Sequence, residues 1–221
     1  MSLAADLLPL WLYVFGWLLA VPALGYALLR VNWLQLRHNR KAQHMFFAIS
    51  LGLVLFWQIR AGLSPGMGIR FMAMTALTLL MGWPLALLAG GFGLLGLCLL
   101  GVESWQGAGV VYCLTVLLPV ALSFAVLYWV QRKLPHNPFI YLFVCAFFNG
   151  ALCMFAVASA TALMLGLSGV YSWELVYEQY YQYLPLMLFP EAFVNGALIS
   201  TVFGTVPHWL SSFDQDTYFR D

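Results

Sequence analysis

Three polar residues lie inside or beside apolar stretches and have the types and spacing of a binding site. Arg70 follows a glycine-rich stretch, while Glu191 and Asn195 lie four residues apart in an apolar run and so share one helical face. An arginine inside an apolar segment costs several kcal/mol unless it is paired. The pattern predicts a buried Arg70–Glu191 ion pair in a pocket with Asn195. Glu191 has two other possible roles: it is a cation ligand, or it stabilises the start of a helix after Pro190.

Sulfur-containing residues suggest a second kind of chemistry. Met67, Met74 and Met81 recur every seven residues, and Arg70 is one helical turn from Met67. Thioethers are soft ligands that suit Cu(I). Methionine also fills gaps between packed helices, so a purely structural role stays open. The candidate metal ligands are Met67, Met74 and Glu191, and Asp6 is a further pocket candidate as the ionisable residue that precedes the first apolar run.

A possible second stripe of soft ligands consists of Cys145, Asn149 and Cys153, which recur at four-residue spacing. Buried cysteines are more often small apolar residues, and a buried asparagine often bonds across helices, so packing is the alternative. The four cysteines all lie in apolar runs, which argues against a secreted disulfide framework. We find no nucleophile motif, phosphate-binding loop or zinc-protease helix, and the sequence therefore predicts no enzymatic activity.

The composition indicates that these residues belong to a protein embedded in a lipid bilayer. Hydrophobic residues make up 63% of the 221 positions and charged residues only 8%, whereas soluble proteins carry about 25% charged residues. The mean hydropathy is +0.89. The net charge of +1, without a basic patch, argues against a nucleic-acid partner. The expected fold is an all-α integral membrane protein whose partner is the bilayer itself.

Seven hydrophobic segments can be placed along the chain. They cover residues 8–29, 44–59, 69–81, 85–100, 110–130, 138–165 and 184–206. The third segment is short; it follows a glycine-rich loop over 61–68 and ends at the Gly82–Trp83–Pro84 break. Residues 1–206 are expected to form one polytopic membrane domain, followed by a short polar cytoplasmic tail over 207–221.

The charges predict the orientation of these segments. Arg30, Arg37, Arg40 and Lys41 lie in the first connection, and Arg132 with Lys133 in a later one, so both connections are expected in the cytoplasm. The N-terminus then lies outside together with the acidic residues Glu103, Glu174 and Glu178, and the C-terminus lies inside. Arg60 and Arg70 would lie on the outer side against this rule, which indicates a local partner or ligand.

Several longer motifs occur in a characteristic order. They are Pro22–Arg30, the glycine-rich loop followed by Leu79–Pro84, Leu134–Cys145 and Phe189–Gly196. In this order the sequence resembles the cobalt/nickel-type permease subunits of energy-coupling factor ABC transporters, in a divergent proteobacterial branch. The resemblance spans nearly the whole chain. It implies a seven-helix substrate-capture subunit that works with an ATPase and a coupling membrane subunit.

The chain departs from this family at two places. The family's metal-binding members begin with Met-His and carry a histidine in the loop and short helix, whereas this chain has Ser2 and, at the second place, Met67 to Arg70 without a histidine. The nitrogen-rich site for nickel or cobalt is therefore missing, and transport of those two ions is not implied.

The resulting functional prediction is a permease or substrate-capture subunit for transition-metal uptake, without its own ATPase, in a bacterial cytoplasmic membrane. A transition-metal ion is expected as substrate rather than as a resident cofactor. The alternative is a non-transporting membrane assembly or metal-handling factor built on the same scaffold.

Overall fold

A computed structural model of the protein describes residues 7–62 and 64–213. The chain begins with the long helix α1 (Leu10–Arg30), the short helix α2 (Trp33–His38) and α3 (Arg40–Phe56). Asparagine caps begin both α2 and α3. The side chain of Asn32 accepts from the Gln35 amide, and that of Asn39 accepts from the Ala42 amide, each at 3.1 Å. The basic connection is therefore an ordered helical turn between two apolar helices.

The glycine-rich loop follows α3 and contains two short antiparallel strands. Strand β1 (Arg60–Ala61) pairs with β2 (Ile69–Arg70), so that Arg60 lies opposite Arg70. Between them the chain turns through Gly66, whose φ is 82°. The prediction that a helix begins at residue 69 is therefore wrong, because the chain is still extended there and the next helix begins only at Met74.

That helix, α4 (Met74–Leu99), consists of two arms joined at Gly82, where φ is 80° and ψ is 159°. The side chain of Met74 reaches within 3.2 Å of the position that a Cβ on Gly90 would occupy. Sixteen residues of straight helix would separate these positions by about 24 Å. The short arm up to Met81 therefore folds back along the long arm from Trp83, as the predicted Gly82–Pro84 break requires.

The remaining helices pack around this helical hairpin. They are α5 (Ala108–Tyr112) continued through a π-helical stretch into α6 (Leu118–Lys133), α7 (Pro138–Ile140) continued likewise into α8 (Asn149–Leu167), α9 (Trp173–Gln179), and α10 (Leu184–Thr205). Helices α1 and α5 approach closely: a Cβ on Gly16 would lie 2.6 Å from the Val110 amide nitrogen, and one on Gly109 would lie 2.7 Å from that of Trp17. Glycine at both positions permits this contact.

The described residues contain five helical stretches that are long and apolar enough to cross a membrane. They are Leu10–Arg30, Met74–Leu99, Ala108–Lys133, Pro138–Leu167 and Trp173–Thr205. Large apolar side chains such as Trp11, Leu29 and Phe143 are exposed on their outer faces. The all-helical membrane class is confirmed. The predicted second segment corresponds to the 17-residue α3, and the predicted third and fourth segments are the two arms of α4.

The chain after α10 packs against the break in α4. Main-chain amides of Ser211 and Ser212 donate to the carbonyls of Leu80 and Leu79 at 2.9 and 3.3 Å, and the Ser212 hydroxyl also donates to Leu79 at 2.7 Å. Pro84 has no amide to give the Leu80 carbonyl. Residues 207–213 therefore supply hydrogen bonds that the interrupted helix lacks.

Candidate substrate site beneath the glycine-rich loop

Arg70 is held by a set of side chains from three other parts of the chain. Its Nη1 donates to Glu103 Oε1 at 2.9 Å, and its Nη2 lies 3.5 Å from Thr115 Oγ1. The guanidinium carbon stands 5.1 Å from the ring centre of Trp57. Only 4% of Arg70 is exposed. The buried arginine is thus neutralised by a carboxylate and covered by an indole ring.

The predicted Arg70–Glu191 ion pair is wrong. Among the described residues, Arg70 forms one salt bridge, and it is with Glu103. Glu103 lies in the short connection after α4, which the fold-back at Gly82 brings to the same end of the molecule as β2. Glu191 has different partners, because both of its carboxylate oxygens accept hydrogen bonds from main-chain amides.

Burial lowers the pKa of the Arg70 guanidinium from its ordinary value, and Glu103 acts in the opposite direction. Arg60, opposite Arg70 in the strand pair, lowers the pKa further. The Glu103 carboxylate, 2.9 Å from Nη1, favours the charged form of the guanidinium. Arg70 Nε has no hydrogen-bond partner in the described part of the chain. The local electrostatics therefore centre on a buried cation that relies on its carboxylate.

Glu191 and Asn195 stabilise the beginning of α4 from a distance of more than 110 residues in sequence. Glu191 accepts from the amides of Met72 and Ala73, both at 2.9 Å, while Asn195 Oδ1 accepts from the Ala76 amide at 2.7 Å. Asn195 Nδ2 donates to Glu191 Oε1 at 2.8 Å. The first amides of a helix have no partner within it. The predicted role of Glu191 at the start of its own helix after Pro190 is wrong, because α10 begins at Leu184 and Pro190 lies inside it. Glu191 instead accepts from amides at the entry to another helix, α4.

This arrangement also holds an unusual backbone conformation. Ala73, the residue before α4, has φ 55° and ψ 13°, in the left-handed region that residues other than glycine rarely occupy. Such a conformation costs about 1–3 kcal/mol and persists only when its surroundings impose it. Here the amides of Met72 and Ala73 donate to the Glu191 carboxylate, and these two hydrogen bonds hold the conformation in place. The loop therefore enters α4 in a fixed geometry.

The methionine row does not lie on one helix. Met67 is in the loop, and only Met74 and Met81 belong to the short arm of α4, so the predicted shared face of Met67 and Arg70 is wrong. The strand at residues 69–70 interrupts the helical period on which that prediction rested. Met67 and Met74 are nevertheless both buried, as is Met72 between them. Three thioethers are therefore buried in the loop and at the start of α4. Asp6 lies outside the described residues.

Cys145, Asn149 and Cys153 are buried in the packed core. Asn149 Nδ2 donates to the Cys145 carbonyl at 3.1 Å, and Cys153 Sγ lies 3.6 Å from Asn149 Oδ1. Cys153 also contacts the Ser123 hydroxyl, which donates to Thr75 Oγ1 at 2.9 Å in the first turn of α4. This stripe therefore continues a polar network that ends at the same helix start as Glu191.

Among the described residues, no group of three or more histidine, cysteine, aspartate or glutamate side chains could hold a metal ion. The site instead contains a neutralised arginine, a helix-capping carboxylate and buried thioethers. Sequence reasoning missed Glu103, Trp57 and Thr115. The signal for Glu103 was its place in a polar gap on the same predicted side of the membrane as Arg70.

The loop is also tied to the segment before α10. The hydroxyl of Tyr171 donates to the Pro65 carbonyl at 3.0 Å, and the Ser64 hydroxyl donates to Gln179 Oε1 at 2.5 Å. Helix α9 carries Gln179 at its last residue, and the Ser172 side chain caps its first turn. The loop, α9 and the start of α10 therefore form one connected end of the molecule.

Comparison with known proteins relates this architecture to transport. Residues 3–209 match the family model described as cobalt uptake substrate-specific transmembrane region. A crystal structure of a truncated transition metal transporter superposes with a TM-score of 0.74 over 92% of this chain and 99% of that chain, at 16% identity, which shows a shared fold. Curated proteins gave no match. The family match covers nearly the entire sequence and confirms the predicted resemblance: the chain belongs to the family of cobalt uptake substrate-specific transmembrane regions.

Proposed function

We propose that the chain is the substrate-capture subunit of a transition-metal uptake system in a bacterial cytoplasmic membrane. The observation that carries this proposal is the family match over residues 3–209. In this proposal the hydrolysis of ATP and the coupling step are the tasks of separate ATPase and membrane subunits. This chain, as the substrate-capture subunit, receives the ion beneath its glycine-rich loop.

The chemistry of the loop points to a soft ion. Met67 and Met74 present buried thioethers, and the oxygens of Glu191 already accept hydrogen bonds from main-chain and side-chain amides. Of the candidate ligands Met67, Met74 and Glu191, the two methionines are therefore the ones whose donor atoms suit an ion. Thioethers bind Cu(I) in preference to hard divalent ions. Arg70, with its charge neutralised by Glu103, and Asn195 would shape the pocket rather than bind the ion.

Binding and uptake measurements test this function. We expect the purified protein to bind Cu(I) and cells that express it to accumulate the ion, and Met67→Leu/Met74→Leu to lower both. Met45→Leu, in the second turn of α3 at the other end of the molecule, is the control. Accumulation of Ni²⁺ or Co²⁺ instead, unaffected by the double substitution, would retain the uptake function and reject the thioether site.

The second candidate function is a membrane assembly or metal-handling factor that does not transport. The observation that favours it is the absence of a group of three ionisable ligands from residues 7–62 and 64–213. A factor of this kind would purify with a stable partner complex, contain no metal by elemental analysis and leave metal uptake unchanged when deleted. Increased accumulation of any transition metal by the expressed chain would reject it.

We further propose the seven-segment topology, with the N-terminus outside and the C-terminus inside. The fold-back at Gly82 supports it, since it returns the chain to the end where Arg70 meets Glu103. Single cysteines at Lys41, Lys133 and Glu174, in a background without the native cysteines, test this topology. Cysteines at positions 41 and 133 should react with a membrane-impermeant reagent only from the cytoplasmic side, and the cysteine at position 174 only from outside. If the cysteines at positions 41 and 133 react from opposite sides, the topology is wrong.

A further inference from the structure

A cavity of about 590 Å³ lies at the other end of the molecule, between the basic connection and the break in α4. Arg30, Asn32 and Lys41 are among the residues that line it. Apolar side chains, among them Phe46, also belong to the lining. Its volume is within the range typical of small-molecule sites, about 300–1,000 Å³. The cavity is therefore large enough for a ligand, and its lining combines cationic with apolar side chains.

The cationic side chains that line the cavity, Arg30 and Lys41, have no acidic residue beside them in the lining. No acidic residue is among those that line the cavity, and within the described ranges no salt bridge involves Arg30 or Lys41. Arg30 Nε donates to the hydroxyl of Tyr26 at 3.0 Å, and its guanidinium lies over the same ring at 5.0 Å. These contacts hold the side chain in place and leave its two terminal nitrogens for another acceptor.

The position of the cavity relates it to the membrane surface. Arg30 is the last residue of the span Leu10–Arg30, and Lys41 is the second residue of α3. Trp209, an aromatic residue of the kind that favours the headgroup level, forms part of the wall. Phe46 is buried one and a half turns deeper along α3. The polarity of the lining thus changes from cationic to apolar in the direction in which a phospholipid changes from headgroup to acyl chain.

We propose that this cavity binds an anionic phospholipid, with the phosphate held by Arg30 and Lys41 and the first methylenes of an acyl chain against Phe46. Basic pockets between membrane helices are suited to anionic headgroups. The apolar residues of the lining favour a lipid over a free phosphate, because a free phosphate has no apolar group to place against them. The bound lipid joins the basic connection, the break in α4 and residues 207–211, three parts of the chain that line the same cavity.

Native mass spectrometry of the full-length protein in detergent tests this proposal. The protein is incubated with phosphatidylglycerol and phosphatidylcholine of identical acyl chains. We expect preferential retention of phosphatidylglycerol, reduced about thirtyfold in Arg30→Gln/Lys41→Gln, the loss expected for two basic contacts at a membrane surface. The charge-preserving exchange Arg30→Lys/Lys41→Arg should retain the lipid. Thermal unfolding of each variant shows that it is folded.

Arg37→Gln/Arg40→Gln is the matched control, since it removes the same charge from the same connection at residues that do not line the cavity. Retention close to the unsubstituted protein is expected. Equal losses in the two double variants would mean a diffuse electrostatic attraction and overturn the site. Displacement of phosphatidylglycerol by inorganic phosphate would identify a free anion as the ligand and also overturn it, as would equal retention of both lipids.

Discussion

The two ends of this molecule use polar residues in opposite ways. At the loop end, Arg70 and Glu191 are buried, and their charges meet a carboxylate and main-chain amides of the chain itself. At the basic end, Arg30 and Lys41 are exposed beside a cavity and have no carboxylate partner among the described residues. The first arrangement fixes a backbone geometry, whereas the second leaves charge available to a ligand. Arginine therefore stabilises the architecture at the loop end, and at the basic end its proposed role is to bind a lipid.

The largest expected effect comes from removing the carboxylate that holds the loop. Glu191→Ala leaves the buried amides of Met72 and Ala73 without acceptors, and each such group costs about 1–3 kcal/mol. We expect a loss of about 4 kcal/mol in the free energy of unfolding, measured by unfolding in detergent. Glu174→Ala, an exposed glutamate in α9, should leave it unchanged. Similar losses in both variants would contradict the difference between buried and exposed charge.

The Arg70–Glu103 pair is expected to have the next largest effect. Glu103→Gln removes the charge that neutralises the buried arginine, which we expect to cost about 3 kcal/mol. Because Arg70→Met in the same chain removes the uncompensated cation, Arg70→Met/Glu103→Gln should recover part of the loss. A double-mutant cycle on the unfolding free energies measures the coupling. Strictly additive losses would show that the two side chains are independent despite their 2.9 Å contact.

Asn195→Ala should have a smaller effect at the same end. It removes the acceptor of the Ala76 amide and one donor to Glu191, while the Glu191 bonds to Met72 and Ala73 remain. We expect a loss of about 1–2 kcal/mol. Hydrogen exchange should accelerate in a peptide that contains residues 72–80. Unchanged protection of that peptide would mean that Glu191 alone fixes the start of α4.

The smallest expected effect lies at the break in α4. The Ser212 hydroxyl donates to the Leu79 carbonyl and is hydrogen-bonded with Tyr141 at 2.6 Å, so Ser212→Ala should cost about 1 kcal/mol. Ser211→Ala is the comparison, because it keeps the main-chain bond to the Leu80 carbonyl and removes only a long contact of 3.5 Å from the Ser211 hydroxyl to the Leu79 carbonyl. A lower melting temperature for Ser211→Ala than for Ser212→Ala would contradict this order.

Much of the fold could be predicted from the sequence, because it follows from short-range patterns. The apolar segments, the break at Gly82 and the shared face of Glu191 and Asn195 each depend on neighbouring residues only. The family resemblance, based on motifs in a fixed order, is also confirmed. Hydropathy alone did not predict where α4 begins, since Phe71, Met72 and Ala73, which precede it, are as apolar as the helix that follows.

The partner of Arg70 could not be predicted because it depends on long-range packing. Glu103 and Glu191 are both acidic residues that the sequence places near the outer end, and only the fold-back of α4 decides which one reaches the arginine. Glu191, moreover, accepts hydrogen bonds from the amides of Met72 and Ala73. The sequence did not indicate that these amides need an acceptor, because the helix was predicted to begin at residue 69 and begins at Met74. Which buried methionine donor atoms bind an ion stays a prediction.

The dependence of α4 on Glu191 has a consequence for biogenesis. The residues that complete the start of the short arm are separated from it by 119 positions, so they emerge from the ribosome long after it. Until the last span is inserted, the entry to this arm lacks its acceptors and the left-handed turn at Ala73 has nothing to hold it. Insertion of the final segment is thus the step at which the glycine-rich loop acquires its shape, and a nascent chain arrested before residue 191 should expose that loop to protease although its earlier spans are in the bilayer.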